Sequence, residues 1–438
     1  MNKVLKKNLS ALFAFILALS CFTGLVFANA QDGVEINAVN FPDEHFRSVV
    51  EERYDTNKDL FLSPEETAQV TNMPLFVYSI PYGQITDLKG IEYFTNLKEL
   101  YAGALGLESV DLSALQNLEY LTINGNALTS LDLSANTALK TLYCFGNSEL
   151  ASLILPAGIT DLQCYGCALT SLDVSACTGL TRLSCHTNQI TALDLSHNPA
   201  LQTLICSDNC LTYLDLSANT QLTNVTQQNI GNQSVTAAAA ANGKTFSVPV
   251  SGLLAQNVVE PSAAGEYNAQ TGAFEFSDYS AAQNGFDYAY NVGLSGAANM
   301  NVHVNVTKDF YKVSYYDAQG GSLMDYLYVT AGGDSAAPAF PQAPSGYVCP
   351  SWSANGKNIT ADTDIYVVWN AQHSYEVAGY EGFVATARCS VCGEEYTISL
   401  EDCYNAKQGD ANYDSVMDVN SDGYINARDH SILQHTFK

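Results

Sequence analysis

Six consecutive stretches of 20 to 21 residues share one pattern: Thr95–Leu115, Gln116–Asn136, Thr137–Ala157, Gly158–Cys177, Thr178–Asn198 and Pro199–Asn219. A unit this short cannot enclose its own apolar side chains. It must stack on copies of itself, so this span is constrained to a solenoid. A stack of rungs offers a long ordered wall rather than a closed pocket. Binding is therefore the expected activity, and catalysis has to be argued from particular residues.

Leu118, Leu121 and Ile123 point inward, as do Leu180, Leu183 and Cys185 three rungs later, so each unit contributes a short parallel strand. The return leg alternates again at Leu128, Leu131 and Leu133, and the rung leaves little length for a helix there; turns and a second extended segment are expected. Asn126, Asn147, Asn188 and Asn209 recur at the bend, where buried turn amides need side-chain partners. Cys144, Cys164, Cys185 and Cys206 take the inward position of Ile123. In-register side chains on rungs about 4.8 Å apart point the same way and meet poorly for a disulfide, so these thiols read as small buried hydrophobes. Cys167, Cys177 and Cys210 find no partner by position. Asp111, Asp132, Asp173, Asp194 and Asp215 stack on the return leg, and Ile154 interrupts the row, so turn capping is expected rather than a line of ions.

The aligned unit, x-x-Leu-x-x-Leu-x-Cys-x-x-Asn-x-Leu-Thr-x-Leu-Asp-Leu-Ser-x-Asn, resembles the leucine-rich repeat in the short bacterial form of the internalins. Ile85-Thr86-Asp87-Leu88-Lys89-Gly90-Ile91 resembles that family's irregular first rung. Upstream, a helical pattern runs from Phe41 to Tyr54. Asp55, Asn57, Asp59, Ser63 and Glu66 then fall at positions 1, 3, 5, 9 and 12 of a loop that resembles an EF-hand and suits calcium. Leu60 stands at position 6, where glycine normally makes the turn, so a vestigial loop capping the first rung is the alternative to a metal site.

Beyond the last rung, short alternating stretches such as Thr245–Val250, Phe274–Phe276 and Val302–Val306 argue a small β-sandwich, placed like the immunoglobulin-like module of many bacterial surface proteins. Lys312–Asp317, Gly320-Gly321, Pro338, Pro341, Pro344, Gly346-Tyr347, Trp352 and Ile359–Ile365 resemble the β-grasp repeat of internalin-type proteins, with Trp352 read as core. Cys389-Ser390-Val391-Cys392-Gly393, with His373 upstream and Cys403 downstream, is similar to a module of some bacterial surface proteins. Cys389 and Cys392 supply half of a tetrahedral zinc site whose other ligands the sequence leaves open; a disulfide with Cys403 or Cys349 and free thiols are the alternatives.

At the C-terminus, Asp418, Asn420, Asp422, Tyr424, Asn426 and Asp429 occupy positions 1, 3, 5, 7, 9 and 12 of a calcium loop, with Gly423 at 6 and Ile425 at 8. Aspartate at position 12, the helical stretch His430–Phe437 and the Asn-Ala-Arg-Asp ending resemble the dockerin module, which implies a cohesin-bearing scaffold protein as partner and Ala427 and Arg428 as residues that help choose the cohesin. Asn405–Gln408 echoes Asn426–Asp429 at an offset of 21, and Glu401 is the remaining obvious ligand before it, so the first of a dockerin's usual two loops reads as degenerate. A lone calcium loop that stiffens the tail is the alternative.

Lys3, Lys6 and Lys7, the apolar run Leu9–Phe27 and Ala28-Asn29-Ala30 form a signal peptide, so a secreted or cell-surface protein is expected. No second run is long enough to span a bilayer. A formal charge of −27 makes nucleic acid a poor partner. The outward strand positions carry Tyr101, Tyr120, Tyr143, Phe145 and Tyr165, with Arg182 and His186, a surface suited to a protein or a glycan. Ser184, His186 and Asp161 make no credible triad, because a flat strand face excludes no water and supplies no oxyanion hole.

These readings give a multi-domain, mainly β protein: signal peptide 1–30, helical EF-hand-like cap 31–84, leucine-rich repeat solenoid with parallel sheet 85–225, β-sandwich 226–309, β-grasp repeat 310–370, Cys-x-x-Cys module 371–400 and dockerin-like tail 401–438. A secreted, monomeric, non-catalytic recognition protein is expected, with calcium and zinc as the candidate metals. An internalin-like adhesin and a subunit or enzyme of polysaccharide degradation are the rivals.

Overall fold

The computed structural model describes residues 33–75, 84–222, 228–261, 265–277 and 279–437; the expected signal peptide lies outside them. Two compact units emerge. The first comprises 1–237, 250–273 and 284–306, and the second 238–249, 274–283 and 307–438.

The first unit opens with the helix Glu44–Arg53, whose N-cap Asp43 accepts the His45 and Phe46 N–H groups at 3.0 and 2.9 Å. The other Asp43 oxygen accepts the Thr86 N–H at 2.8 Å, which ties this helix to the entrance of the solenoid. Phe41 packs on Phe46 and Tyr93, and Tyr54 on Phe94, so the first rung is closed by aromatic side chains. Eight strands then run parallel in one sheet, in the order Asn72–Pro74, Glu99–Tyr101, Tyr120–Thr122, Thr141–Tyr143, Asp161–Gln163, Arg182–Ser184, Thr203–Ile205 and Gln228–Asn229. Leu100, Leu121, Leu142, Leu162, Leu183 and Leu204 stand in register at the strand centres, and each is 0 % exposed. This geometry is leucine-rich-repeat-like on its own terms. The return legs contain both expected features: Ser130–Asp132 and Ser152–Ile154 pair as a second short parallel sheet, and Asp111, Asp132, Asp173, Asp194 and Asp215 each cap a turn by accepting the N–H of the serine two residues on at 2.9 Å.

The bends are held by amide ladders. Asn126 Oδ1 accepts the Leu105, Gly106 and Leu107 N–H groups at 3.0, 2.9 and 3.1 Å, while its Nδ2 donates to the Ala102 and Ile123 carbonyls at 2.9 and 3.0 Å. Asn147, Asn188 and Asn209 repeat the motif, and Gln233 continues it past the last repeat. A second ladder closes the second, fifth and sixth rungs, where Asn136, Asn198 and Asn219 each donate to two carbonyls of the preceding turn. In the fourth rung a cysteine stands in for asparagine in both ladders: Cys167 Sγ donates to the Cys144 carbonyl and Cys177 Sγ to the Pro156 carbonyl, both at 3.5 Å. Cys144, Cys164, Cys185 and Cys206 are free and fully buried; burial raises their thiols, that of Cys185 to about 12, so they pack as neutral groups.

Past the repeats, Val258–Pro261, Phe286–Tyr290 and the start of Met300–Lys308 pair antiparallel within the same unit. Tyr288 Oη donates to the Thr212 carbonyl at 2.6 Å and the Leu216 N–H to the Val292 carbonyl at 2.8 Å. These bonds tie the strand Phe286–Tyr290 and the link after it to the sixth rung of the same unit.

The second unit contains the hairpin in which Ala240 pairs with Ser247, and a cluster of Phe246, Phe276, Tyr279 and Phe310. A four-stranded sheet follows, in the order Leu323–Thr330, Phe310–Tyr316, Thr363–Asn370 and Cys349–Trp352, with the central pair parallel. Its core is Val313, Tyr315, Val329, Ile359 and Ile365, on which Trp352 packs. Three antiparallel strands, Tyr375–Glu381, Val384–Cys389 and Glu395–Ser399, share one apolar cluster with the tail, through Ala385, Ala387, Ile398, Leu400, Cys403, Met417, Ile425 and Leu433. The boundary drawn from sequence at 400/401 therefore falls inside a shared core. Cys403 donates to the Ser399 carbonyl within that core, so the disulfide considered for it is not formed.

Removing an amide ladder should cost far more than removing a turn cap. Asn126→Ala would leave two buried N–H groups and a half-buried one without acceptors and should destabilise the chain by about 2 kcal/mol or more, whereas Asp132→Ala, at an exposed turn, should cost about 1 kcal/mol or less. Urea unfolding followed by circular dichroism checks the ranking.

Candidate recognition surface

Outward side chains on the solenoid strands form three rows. The first runs Glu99, Tyr120, Thr141, Asp161, Arg182, Thr203, and the second Tyr101, Thr122, Tyr143, Gln163, Ser184, Ile205, as the strand register dictates. Phe145, Tyr165 and His186 form the third, two residues beyond each strand's second row. The expected aromatics thus lie on one face, and all are half-buried.

They do not make one continuous strip. Tyr120 meets Tyr101 with ring centroids at 5.0 Å and Tyr143 edge-on at 5.6 Å, forming one tilted group. Phe145, Tyr165 and His186 form the other, a stack with centroids 4.5 and 4.4 Å apart and planes within 5° and 11° of parallel. The sequence signal for this division was present in the strand period, because Phe145, Tyr165 and His186 share one register and the other tyrosines occupy two.

Burial, followed by neighbouring carboxylates, raises the hydroxyls of Tyr101, Tyr120 and Tyr143, so they stay neutral; burial lowers His186 and keeps its imidazole neutral. Tyr101 Oη donates to Glu99 at 3.1 Å and Tyr143 Oη to Asp161 Oδ2 at 3.2 Å. Arg182 Nε lies 3.7 Å from the same oxygen, so Arg182 and Tyr143 share one carboxylate. His186 Nδ1 pairs with Thr187 Oγ1 at 3.0 Å, and Asp161 is engaged by Tyr143 and Arg182, so the imidazole and the carboxylate of the rejected triad are committed elsewhere.

The two calcium-type loops share one hydrogen-bond grid. Asp55 accepts from the Asp59 and Leu60 N–H groups at 3.2 and 2.9 Å, and Asp418 from Asp422 and Gly423 at 3.0 and 2.8 Å. Asn57 and Asn420 accept from the position-5 N–H, and Asp59 and Asp422 from the position-7 N–H. Ser63 and Asn426 are N-caps with complete capping boxes to Glu66 and Asp429. Tyr424 at position 7 forms a bridge with Lys407, and Ile425 at position 8 is fully buried. Ala427 and Arg428 are exposed on the first turn of the helix Ala427–Thr436.

The loops differ in how fully the carboxylate at position 12 is satisfied. Burial works to raise Glu66, yet hydrogen bonds from the Thr56 hydroxyl, the Ser63 and Thr56 N–H groups and the Ser63 hydroxyl bring it down to about 2. Asp429 is 0 % exposed and accepts the Asn426 N–H at 2.9 Å and the Asn420 N–H at 3.4 Å. With fewer donors on it than Glu66 has, the buried Asp429 keeps more acceptor capacity for a hard divalent cation, although Asp418 beside it already accepts from Tyr413 Oη at 2.6 Å.

No family model matches the chain, and no curated protein matches it. Among solved structures, it is similar to the functional domain of InlJ from Listeria monocytogenes, described as including a cysteine ladder, at 20% identity over 64% of this chain and 100% of that one, with a TM-score of 0.30. It is similar to internalin C2 of Listeria monocytogenes str. 4b F2365 at 23% identity over 47% of this chain and 88% of that one, with a TM-score of 0.35. It is also similar to InlP of Listeria monocytogenes at 14% identity, covering 63% and 98% of the two chains, with a TM-score of 0.22. The structural neighbours are thus internalins and leucine-rich repeat proteins.

Leu60 adopts φ +67° at the position where Gly423 adopts φ +83°, and its side chain is 53 % exposed. Leu60→Gly should therefore raise the urea midpoint, by about 0.5 to 1 kcal/mol of relieved left-handed strain, because little apolar contact is lost.

Proposed function

We propose that this chain is a secreted, non-catalytic recognition protein whose solenoid face binds a protein partner and whose C-terminal loop, loaded with calcium, attaches it to a cohesin-bearing scaffold. The stacked row of Phe145, Tyr165 and His186 carries the first part of this reading. A sugar-binding platform needs an open ring face, and rings 4.4 to 4.5 Å apart cover one another's faces. What they leave outward is edges, beside the neutral hydroxyls of Tyr101, Tyr120 and Tyr143 and the guanidinium of Arg182, the mixture of aromatic and arginine groups that anchors protein interfaces. Binding should be lost stepwise: Tyr143→Ala and Tyr165→Ala should each weaken capture of the partner by about 1 to 3 kcal/mol, read as the dissociation constant of the partner recovered with the full chain. Unchanged affinity in the double variant would exclude this face.

Attachment rests on the buried Asp418 and Asp429, the left-handed Gly423 and the exposed Ala427 and Arg428. Calcium holds the loop so that the first turn of the following helix is presented in one conformation. Capture by a cohesin should require calcium and disappear in Asp418→Ala with Asp422→Ala; equal capture with chelator present would leave the loop as a stiffener of the tail.

A further inference from the structure

We propose that Cys349, His373, Cys389 and Cys392 bind a zinc ion in a structural site with three thiolates and one imidazole. The Cys-x-x-Cys pair alone is half a site. The fold delivers the other half from two distant positions: Cys349 begins an edge strand of the four-stranded sheet, and His373 lies in the link between that sheet and the strand Tyr375–Glu381. The ligand atoms of all four residues lie within 4.8 Å of one another. Cys349 Sγ and Cys389 Sγ are 3.5 Å apart, and Cys392 Sγ and His373 Nδ1 are 3.4 Å apart. Zinc–sulfur bonds of about 2.3 Å and zinc–nitrogen bonds of about 2.0 Å in a tetrahedron set ligand atoms about 3.5 to 3.8 Å apart, so the cluster has the size of a zinc site. A disulfide would need about 2.05 Å, and three thiols cannot all be consumed in pairs.

The surroundings match the chemistry. His373 Nε2 stands 3.1 Å from Glu394 Oε2, which also accepts from Tyr375 Oη at 3.3 Å. This carboxylate assigns the proton to Nε2 and leaves the Nδ1 lone pair facing the sulfurs, the outer partner that metal-bound histidines require. Gly393, at φ +77°, turns the chain after Cys392, and its N–H closes the knuckle on the Cys389 carbonyl at 2.9 Å. Cys349 and Cys389 are buried, His373 and Cys392 partly so. Thiolate and imidazole donors are soft, so the site selects zinc over the calcium suited to the carboxylate loops. Its position indicates its use: it straps the edge strand Cys349–Trp352 to the turn after Val384–Cys389, between two small sheets whose own cores are slight.

The full chain, purified without chelator and with calcium present throughout, should carry one zinc per chain by elemental analysis. Cys389→Ser with Cys392→Ser should carry none. After zinc is stripped, cobalt should restore the visible bands of a tetrahedral ion with thiolate charge transfer; this reading on the natural chain decides the matter if the double variant fails to fold. Equal zinc in the variant, or cobalt taken up without tetrahedral thiolate bands, would overturn the site. So would a peptide map of anaerobically purified protein that joins Cys349 to Cys389 or Cys392.

Discussion

Everything in the solenoid depends on satisfying the backbone where each rung bends. A parallel strand satisfies its own amides through its neighbours, but the turns bury N–H and carbonyl groups that no strand can reach. Asn126 bonds three N–H groups and the carbonyls of two rungs at once, and Asn147, Asn188 and Asn209 each accept one N–H and donate to the carbonyls of their own rung and the one before. Because each amide bonds to its own rung and to the one before, the ladder also fixes the rotation between rungs. A slip would break every bond in the row together. The leucines supply the burial free energy, and the asparagines decide which stacking realises it.

That fixed register is what turns a repeat into a surface. Since Leu100 through Leu204 are locked inward at the strand centres, the flanking positions must face out, and identical spacing brings residue types into rows. The stack of Phe145, Tyr165 and His186 exists because three rungs place a ring at the same step, and the backbone spacing brings those rings within stacking distance. Such a face is preorganised. A partner meets rings already held in place, which lowers the ordering cost of association.

Legibility followed locality. Strand positions, inward leucines, the bend asparagines and both calcium-type loops were readable because each is set by residues within about one rung or one loop of each other. The second amide ladder, Asn136, Asn198 and Asn219, was written in the motif's last letter and was overlooked, and the roles of Cys167 and Cys177 followed from it. What the sequence could not give were meetings between distant segments. Tyr288 reaches Thr212 across 76 residues, and a core shared by Ala385, Met417 and Leu433 joins two segments that composition separates. Likewise His373 and Cys349 were both candidates around Cys389 and Cys392, but the sequence left open whether Cys349 or Cys403 joins them, and only the fold brings Cys349 there. Leu60 shows the opposite case, a local rule broken and tolerated: the loop's other bonds hold it at φ +67° because Asp55, Asn57 and Asp59 fix the turn from both sides.

The two compact units solve stability in different ways, and the difference is one of size. In the solenoid each added rung extends one continuous leucine interior, so the core grows with the chain and needs no clasp. The four-stranded sheet buries five core residues, Val313, Tyr315, Val329, Ile359 and Ile365, and the three-stranded sheet depends on the tail to complete its cluster. Domains so small cannot gather enough apolar area to offset chain entropy with much to spare. Ligand sites that assemble only on folding would offset this, and the unit contains two candidates: three thiols and an imidazole beside its sheets, and three carboxylates around a glycine turn in its tail. With both proposed ions bound, such a module would exchange apolar bulk for ion dependence, and its rigidity would become a property of its surroundings as well as of its sequence.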